Sequence, residues 1–563
     1  MSDATADSPA IAQLESKRQR LSPPGRSPVA KGGAGLRPLA ILGIVLGLAL
    51  VAWSIYVRTR AFKEAYWIDE GLSIGIARHA FFDIPGVLRQ DGSPPLYYML
   101  LHFWVELFGT KENATHALSL IFSTLTIPVG LWTGWKLFGR WTGIVTAILC
   151  AANPFLTGYA QETRQYSLVV LLSLLCTSFF LFIFVQRERK YLPFFAVSLV
   201  ALLYTHLWAA FFVLAVAVTI LWLLWRHRDE RRELFRDALL GFGGAFVLYL
   251  PWLPTALYQV KHTAAPWALG PNYRAYQQIP HTLAGGKYEV PITAIVVVVG
   301  LFIAWRVRRR GGEAASSVGG TGRLSVRNDR AGWVTFGLLA AMVLLAWTIS
   351  KASGVWVPRY FAIFVGPFLI WAGWAFARAG VIGIAGLLIL VIGFQFYPHT
   401  PEKLFLKSNV KFVAADGAGR LHRGDIVLST HPEQIPLIYH YMNESGQHDL
   451  RYATQMGWVP DPQVMDWRDA TARLRKTRAS RNLLPILDHM RVGQQMYLIR
   501  PITSRKNEWT APWTSLVKRR SLQWIHAVER DKQFKLEKIS NNFLQVGHRN
   551  GAVQGRLYIK TSG

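Results

Sequence analysis

The sequence predicts a polytopic α-helical membrane protein that carries a small α/β domain at its C-terminal end. The 563-residue chain is 51% hydrophobic and contains 22 Trp, which is too apolar for a soluble protein. Long apolar stretches recur between residues 38 and 400, and a helix needs roughly 20 such residues to cross a bilayer. After residue 400 the composition becomes that of a soluble domain.

Eleven transmembrane helices are predicted after a disordered, basic cytoplasmic tail at residues 1–37. They make up a transmembrane domain at residues 38–400. The predicted spans are 38–57, 115–137, 140–158, 165–186, 191–206, 207–225, 237–257, 289–307, 332–350, 360–378 and 380–398. The apolar segment 94–108 is short and starts with two prolines, so we expect it to be partly embedded.

Basic loops set the predicted topology. Three of them, at 187–190, 226–236 and 306–310, fall on the cytoplasmic side if the N-terminus is cytoplasmic and segment 94–108 does not cross. A miscounted span elsewhere is the alternative if that segment crosses. The Gly/Ser-rich stretch at 308–331 is then a flexible cytoplasmic loop, and residues 58–93 form the first outer loop.

The C-terminal domain, residues 401–563, is predicted to be extracytoplasmic and α/β. Apolar strands at 425–430 and 495–500 alternate with helix-like stretches at 432–442 and 466–475. The topology rule does not restrict the charge of so long a domain.

Charge and cysteine content narrow the classes of function. Lys and Arg outnumber Asp and Glu by 62 to 33, an excess that topology and membrane lipids explain without nucleic acid. Cys150 and Cys176 both lie in apolar runs, so no disulfide framework or cysteine metal site is expected. The chain has no phosphate-binding loop and no His/Cys cluster with metal spacing.

The first candidate site is the segment 66–81, YWIDEGLSIGIARHAF. Carboxylates close to membrane depth are costly and usually functional, and burial raises the pKa of a carboxylate, which favours a general base. Asp69 is the candidate base, and Glu70 is a candidate substrate ligand that could instead only cap or orient. The alternative is an interfacial helix with its acidic residues in water.

The second and third candidate sites follow along the chain. Asp91 and Tyr97, around the Pro-Pro pair of segment 90–98, could bind substrate, although tyrosines there also suit an aromatic belt. In segment 153–167, Glu162 could act on acceptor hydroxyls and Arg164 could hold a phosphate, with Tyr166 beside them. An ion pair that closes a helical hairpin is the alternative.

The remaining candidate ligands lie later in the chain. Arg359-Tyr360, at the start of a late span, could meet an anion, although a snorkelling anchor is an equal alternative. Lys261 is a weaker candidate of the same kind. His206, in LYTH, lies at a tight turn and could be structural.

Taken in order, the motifs WIDEG, DGSPPLYYMLLHFW, WKLFGRW, GYAQETRQYSL, LYTH and PRY resemble the GT-C glycosyltransferase superfamily. The closest resemblance is to the family 39 type, which includes protein mannosyltransferases and lipid A aminoarabinose transferases. By this resemblance Asp69 matches the catalytic aspartate, Glu162 and Arg164 match an acidic and a basic position, and Arg359-Tyr360 match a late outward motif. The Trp-Trp-Asp-Tyr-Gly signature of oligosaccharyltransferases is absent.

The resemblance implies a cell-membrane enzyme that moves a sugar from a polyprenyl-phosphate donor to a glycan, lipid or protein acceptor by an inverting single displacement. No cofactor is implied, with a divalent metal as an open alternative. Mannose is the expected sugar, and arabinofuranose or another pentose is the alternative. Two other classes of protein stay open: a lipid or solute transporter, which would show paired interrupted helices in two halves, and a non-catalytic scaffold.

Overall fold

The computed structural model describes residues 38–263, 265–272, 275–286, 288–309, 329–396, 407–503, 509–540 and 552–562. The predicted N-terminal tail and residues 310–328 of the predicted cytoplasmic loop lie outside the described residues. Residues 50–563 form one compact unit, to which the packing described below belongs.

Helices make up the described part of the predicted transmembrane domain. Their bounds are α1 (Pro38–Arg58), α2 (Ile68–Ala77), α3 (Ile84–Asp91), α4 (Leu96–Phe108), α5 (Glu112–Phe138), α6 (Arg140–Ala151), α7 (Pro154–Tyr159), α8 (Tyr166–Phe184), α9 (Leu192–Leu203), α10 (Ala209–Arg226), α11 (Arg231–Tyr249), α12 (Leu253–His262), α13 (Gln278–Ala284), α14 (Glu289–Arg309), α15 (Asp329–Ser353), α16 (Ala362–Arg378) and α17 (Val381–Phe396). Helix α8 is almost entirely buried at the centre of the bundle.

Six helices of the described chain are long and apolar enough to span a membrane: α5, α8, α10, α14, α15 and the one that ends at Arg378. A seventh span would consist of α11 and α12 together, which are bent by 73°. Pro251 lies in this break, where it cannot donate a helical hydrogen bond. Helix α4, the segment expected to be partly embedded, has only 13 residues. The predicted number of eleven spans stays a prediction.

The C-terminal part is an α/β domain, as predicted. Its described elements are α18 (Val410–Ala418), β1 (Ile426–Ser429), α19 (Ile435–Glu444), β2 (Arg451–Thr454), β3 (Gly457–Trp458), α20 (Ala470–Lys476), α21 (Leu484–Asp488), β4 (Gln495–Pro501), α22 (Pro512–Arg530), β5 (Phe534–Ser540) and β6 (Val553–Lys560). The predicted strands at 425–430 and 495–500 are β1 and β4. The domain bounds at residues 37 and 400 stay predictions.

The described strands form one mixed sheet in the order β3-β2-β1-β4-β6-β5. Strand β1 pairs in parallel with β2 and β4, whereas the remaining pairs are antiparallel. Successive residues of β1 alternate between two cores: Val427 packs with α18 and α19, and Ile426 and Leu428 pack with α22. Apolar side chains on both faces explain why this short strand is continuously hydrophobic.

Helix α2, which carries Asp69, is clamped between the bundle and the C-terminal domain. Ile74 packs in the core of α18 and α19, and Ile68 and Leu72 pack with Trp467 and Trp513. Two glycines allow the close approach. A Cβ atom at Gly71 would lie 2.7 Å from the Cα atom of Leu437, and one at Gly75 would overlap the carbonyl oxygen of Gln463.

A buried ionic network anchors the same helix. Glu70 is fully buried, and its carboxylate accepts hydrogen bonds from His116 Nε2 at 2.7 Å, Lys407 Nζ at 3.1 Å and the backbone N–H of Thr163 at 2.8 Å. Burial alone would raise the pKa of Glu70, but Lys407 and His116 outweigh it and lower this pKa to about 2. The network joins the first loop, α5, the loop before α8 and the start of the C-terminal domain.

We predict that Gly75→Ala destabilises the protein by about 1–3 kcal/mol, the usual cost of overpacking. The new methyl group meets the backbone carbonyl of Gln463, which cannot rotate away. Thermal unfolding in detergent measures the effect. Gly86→Ala is the matched control, because a Cβ atom at Gly86, in the neighbouring helix α3, meets nothing within 4 Å. Equal unfolding midpoints for the two variants would contradict the close packing of α2.

We predict that Glu70→Gln lowers the free energy of unfolding by about 3–5 kcal/mol, because it leaves the buried ammonium group of Lys407 without its carboxylate. In the wild type this contribution is present above the ordinary pKa of 4.5 and is lost as the pH falls towards 2; the variant should lack this acid dependence. Unfolding followed against pH measures both effects.

The control is Asp449→Asn, which removes an exposed pair with Arg423 and should cost less than about 1 kcal/mol. A stable Glu70→Gln protein with only a raised KM would instead support the role of Glu70 as a substrate ligand.

Candidate active site

Three charged side chains from distant parts of the sequence meet beside α2. Arg359 Nη2 lies 3.4 Å from Asp69 Oδ2, and Arg164 Nε lies 4.0 Å from the same oxygen. Asp69 stands in the first turn of α2, Arg164 just before α8, and Arg359 in the 3₁₀ turn Pro358–Phe361 that precedes α16. The structure therefore brings together the predicted base and two of the predicted anion ligands, Arg164 and Arg359.

Arg164 is also bound to the helix that carries Asp69. Its Nη1 donates to the Asp69 carbonyl oxygen at 3.2 Å, to Ser73 Oγ at 3.1 Å and to Tyr98 Oη at 3.3 Å. Ser73 is one helical turn beyond Asp69, so both lie on the same face of α2. Ser119 Oγ in turn donates to the carbonyl oxygen of Arg164 at 3.2 Å. These bonds fix the guanidinium before any substrate binds.

Arg359 lies among aromatic rings. Its Cζ atom is 4.7 Å from the ring centre of Trp267 and 5.6 Å from that of Trp67. Cation–π attraction of this kind stabilises a partly desolvated guanidinium, and only 20% of the Arg359 side chain is exposed. The two indole rings thus stabilise the Arg359 guanidinium, while its Nη2 atom reaches Asp69.

Three further predicted ligands form an aromatic wall at the same place. The ring of His206 lies 4.7 Å from that of Tyr360 and 6.0 Å from that of Tyr166, measured between ring centres. Tyr166 and Tyr360 lie 6.5 Å apart, and Arg164 Cζ is 5.8 Å from the ring centre of Tyr166. The wall joins the start of α8, the turn before α10 and the turn before α16.

Asp91 is a second carboxylate close enough for the charges of the cluster to act on it. Burial raises its pKa, and the negative charge of Asp69 acts in the same direction, against the opposing effects of Ser93 and Arg164. Asp91 ends α3, immediately before Gly92, whose φ of 101° lies in the left-handed region that favours glycine. Gly92 therefore allows the chain to turn directly after Asp91, and this turn fixes the Asp91 carboxylate at the end of α3.

Several polar atoms of the cluster have no hydrogen bond. Asp69 Oδ2, Arg164 Nε and Arg359 Nε are all buried, and none has a hydrogen-bond partner among the described residues. Buried polar atoms in folded proteins are nearly always hydrogen-bonded. An anionic group placed between the guanidiniums and a hydroxyl placed at Asp69 would supply the partners.

Four predicted site residues have no described side-chain contact with Asp69, Arg164 or Arg359. Glu162 is almost fully buried, and its carbonyl oxygen accepts a hydrogen bond from the backbone N–H of Arg164 at 2.8 Å. Tyr97 is fully buried, with its hydroxyl 3.3 Å from Ser119 Oγ. Lys261 is exposed at the end of α12. Glu70 belongs to the buried network, so the structure favours its orienting role over substrate binding.

Sequence reasoning missed several members of the cluster. Ser73 was missed, although its spacing of four residues after Asp69 could have identified it. Of the tyrosine pair at 97–98, which the sequence marks as a possible sugar contact, it is Tyr98 and not Tyr97 that reaches Arg164. Trp67 lies within the quoted motif WIDEG but was not singled out as a site residue. No sequence pattern predicted that Trp267 would contact Arg359. Lys407 is also unexpected, because it lies in the C-terminal part and only the fold brings it to Glu70.

Comparisons with known proteins agree with this architecture. Residues 92–254 match the family model described as dolichyl-phosphate-mannose-protein mannosyltransferase. No curated protein matches the chain. ArnT from Cupriavidus metallidurans bound to undecaprenyl phosphate is similar in structure, with a TM-score of 0.55, 15% identity and coverage of 92% of this chain and 98% of that one.

Two further solved structures share the fold. The apo state of the same ArnT has a TM-score of 0.54 at 13% identity, over 92% of this chain and 98% of that chain. The arabinofuranosyltransferase AftD from Mycobacteria has a TM-score of 0.50 at 13% identity, over 92% of this chain and 40% of that chain. The expected resemblance is thereby confirmed, and the chain has the fold of the GT-C superfamily of membrane glycosyltransferases.

Proposed function

We propose that the protein is a membrane glycosyltransferase that moves a sugar from a polyprenyl-phosphate donor to an acceptor hydroxyl at the outer face. Asp69 is the general base, and Arg164 and Arg359 bind the phosphate that leaves. Mannose is the expected sugar, with arabinofuranose or another pentose as the alternative. The bound undecaprenyl phosphate named for ArnT, which shares the fold, supports the choice of lipid.

One observation carries this proposal: the Asp69 carboxylate lies beside the guanidiniums of Arg164 and Arg359, and the Nε atom of each arginine has no hydrogen-bond partner among the described residues. Arginine binds phosphate oxygens through its planar fork. A phosphate that enters here competes with Asp69 for the two guanidiniums. It thereby releases the carboxylate to accept a proton, so donor binding itself prepares the base.

The proposed reaction is a single displacement with inversion. The acceptor oxygen forms a bond to the anomeric carbon of the sugar while the bond from that carbon to the phosphate oxygen breaks. The proton of the acceptor hydroxyl passes to Asp69, and the phosphate oxygen keeps the electron pair. Arg164 and Arg359 stabilise the second negative charge that develops on the phosphate.

The surrounding residues have supporting roles in the proposal. The wall of Tyr166, His206 and Tyr360 lies beside the guanidiniums and is available to pack against the donor. Glu162 remains a candidate for contact with the acceptor. The lipid tail would enter sideways between helices, so that the apolar bundle is part of the donor site.

The transporter hypothesis gains no support from the fold. It predicts interrupted helices in two related halves. The described part of the chain contains one bent pair that could be a broken span, α11 with α12.

We predict that Asp69→Asn lowers kcat by about 10²–10⁴-fold, the usual contribution of a general base. The amide keeps the shape of the side chain and cannot take the proton. Release of polyprenyl phosphate from a lipid-linked sugar, in the presence of acceptor, measures the rate. Asp83→Asn is the control, since Asp83 is exposed in the same outer loop and its side chain makes no cap hydrogen bond. Undiminished turnover in Asp69→Asn would exclude this mechanism.

We predict that Arg359→Gln weakens the binding of undecaprenyl phosphate by at least about tenfold and lowers kcat by about 10²–10³-fold, because the leaving phosphate loses one of its two cations. Arg359→Lys should recover part of the binding, since it restores the charge without the fork. The control is Arg89→Gln, an exposed arginine stacked on Tyr258. If both glutamine variants bind the lipid phosphate equally well, Arg359 is an anchor and not a phosphate ligand.

A further inference from the structure

A pocket with apolar and charged walls lies in the C-terminal domain, on the side that contacts the first outer loop. It has a volume of about 570 Å³, within the 300–1,000 Å³ typical of ligand sites. Its lining combines an aromatic ring, charged groups and one residue of the outer loop: Gln90, Met456, Trp458, Asp466, Arg473 and Lys476. None of the groups in the Asp69 cluster lines it.

The walls of the pocket are joined directly to the elements of the candidate active site. Gln90 lines the pocket, and the next residue is Asp91 beside the Asp69 cluster. The carbonyl oxygen of Gln90 accepts a hydrogen bond from the backbone N–H of Trp467 at 2.9 Å. Asp461, another lining residue, pairs with His79 just beyond α2 at 2.8 Å. The pocket is therefore adjacent to the site where an acceptor must react.

Trp458 offers a surface for a sugar ring. It lies on β3, at one edge of the sheet, and is 41% exposed. The Arg451 guanidinium stacks on it at 3.9 Å from the ring centre and supports its orientation. An aromatic ring that is apolar yet held in place suits the apolar face of a saccharide.

Fixed hydrogen-bonding groups surround this ring. Asp466 accepts hydrogen bonds from Arg468 Nε at 2.8 Å and Nη2 at 2.9 Å, and it pairs with Arg473 as well. Burial opposes the charge of Asp466, but the two arginines outweigh it and lower its pKa. Arg468 and Arg473 are thus held in defined positions, and their two positive charges exceed the single negative charge of Asp466.

The basic rim of the pocket consists of Arg468, Arg473 and Lys476, which line it and belong to a strongly basic segment. Segment 466–481 contains six basic residues, Arg468, Arg473, Arg475, Lys476, Arg478 and Arg481, against Asp466 and Asp469. Arg475, Lys476, Arg478 and Arg481 are exposed. None of these four forms an ion pair with a carboxylate of the described chain. Lys476 therefore lines the pocket without a carboxylate partner among the described residues, and the positive charge of the segment to which it belongs attracts an anion.

We propose that this pocket binds an anionic glycan, a sugar chain that carries carboxylate or phosphate groups, and that this glycan is the acceptor. Trp458 packs against a sugar ring, while Lys476 and the basic rim bind the charged groups. That the bound glycan is the acceptor rests on the proposed transferase function. The binding of the glycan does not.

The test is a titration of the full-length Asp69→Asn protein in neutral phosphatidylcholine nanodiscs. The probes are tetragalacturonic acid and its fully methyl-esterified form, which has the same sugar chain without the charge. We expect the acid form to bind at least about tenfold tighter than the ester, a difference equivalent to ~1.4 kcal/mol. Trp458→Ala and Lys476→Glu should each weaken the binding of the acid form about tenfold.

The matched control is Lys532→Glu, an exposed lysine before β5 at the opposite edge of the sheet, which should leave the affinity within about twofold. Equal affinities for the two probes, or an equal loss in Lys476→Glu and Lys532→Glu, would overturn the proposal. Loss of binding in nanodiscs that contain phosphatidylglycerol would assign the rim to anionic lipid and overturn it too.

Because the titration contains no sugar donor, it measures binding independently of the reaction. Failure of the proposed function would appear as the absence of polyprenyl phosphate release from the wild type. Failure of the pocket proposal would appear as the absence of charge-dependent binding.

Discussion

The buried contact between Glu70 and Thr163 determines the geometry of the candidate active site. Glu70 and Asp69 are neighbours at the start of α2 and point in different directions. The Glu70 carboxylate binds the backbone N–H of Thr163, whose successor Arg164 then faces Asp69. Lys407 and His116 hold the same carboxylate from the other sides. Two adjacent acidic residues thus contact two adjacent residues of another loop: Glu70 binds Thr163, and Asp69 pairs with Arg164. A shift of either segment would move Asp69 away from the Arg164 guanidinium.

Much of the fold follows from patterns that local physics enforces. Apolar runs in segments such as 166–184 must be helical, because backbone polar groups in a bilayer can be satisfied only within the segment. The strands β1 and β4 were predictable for a related reason, since short, continuously apolar runs suit a sheet covered on both faces. The span count was not predictable to the same degree. Helices α4, α6 and α17 are short, and hydropathy alone cannot decide whether a short helix crosses the membrane.

The site residues that could be predicted are those whose charge is energetically unfavourable near the membrane. Asp69, Arg164 and Arg359 stand out because charge near membrane depth is expensive, and the structure brings all three together. Glu70 has the same sequence signature for a different reason, since its charge is compensated by Lys407, which lies 337 positions away. No local pattern distinguishes an acidic residue that faces substrate from one that meets a distant lysine. Tyr97 and Tyr98 illustrate the same limit: only the phase of α4 decides which hydroxyl reaches Arg164.

The charges of the proposed reaction explain why one carboxylate stands with two guanidiniums. Without a donor, Asp69, Arg164 and Arg359 together carry one positive charge, which attracts a phosphodiester with one negative charge. After transfer the phosphate carries two negative charges, while Asp69 has taken a proton, so the site is neutral before and after the reaction. Burial acts on the second carboxyl group in the same direction, because it raises the pKa of Asp91 and so disfavours the charged form of this group. A second ionised carboxylate would instead oppose the entry of the donor.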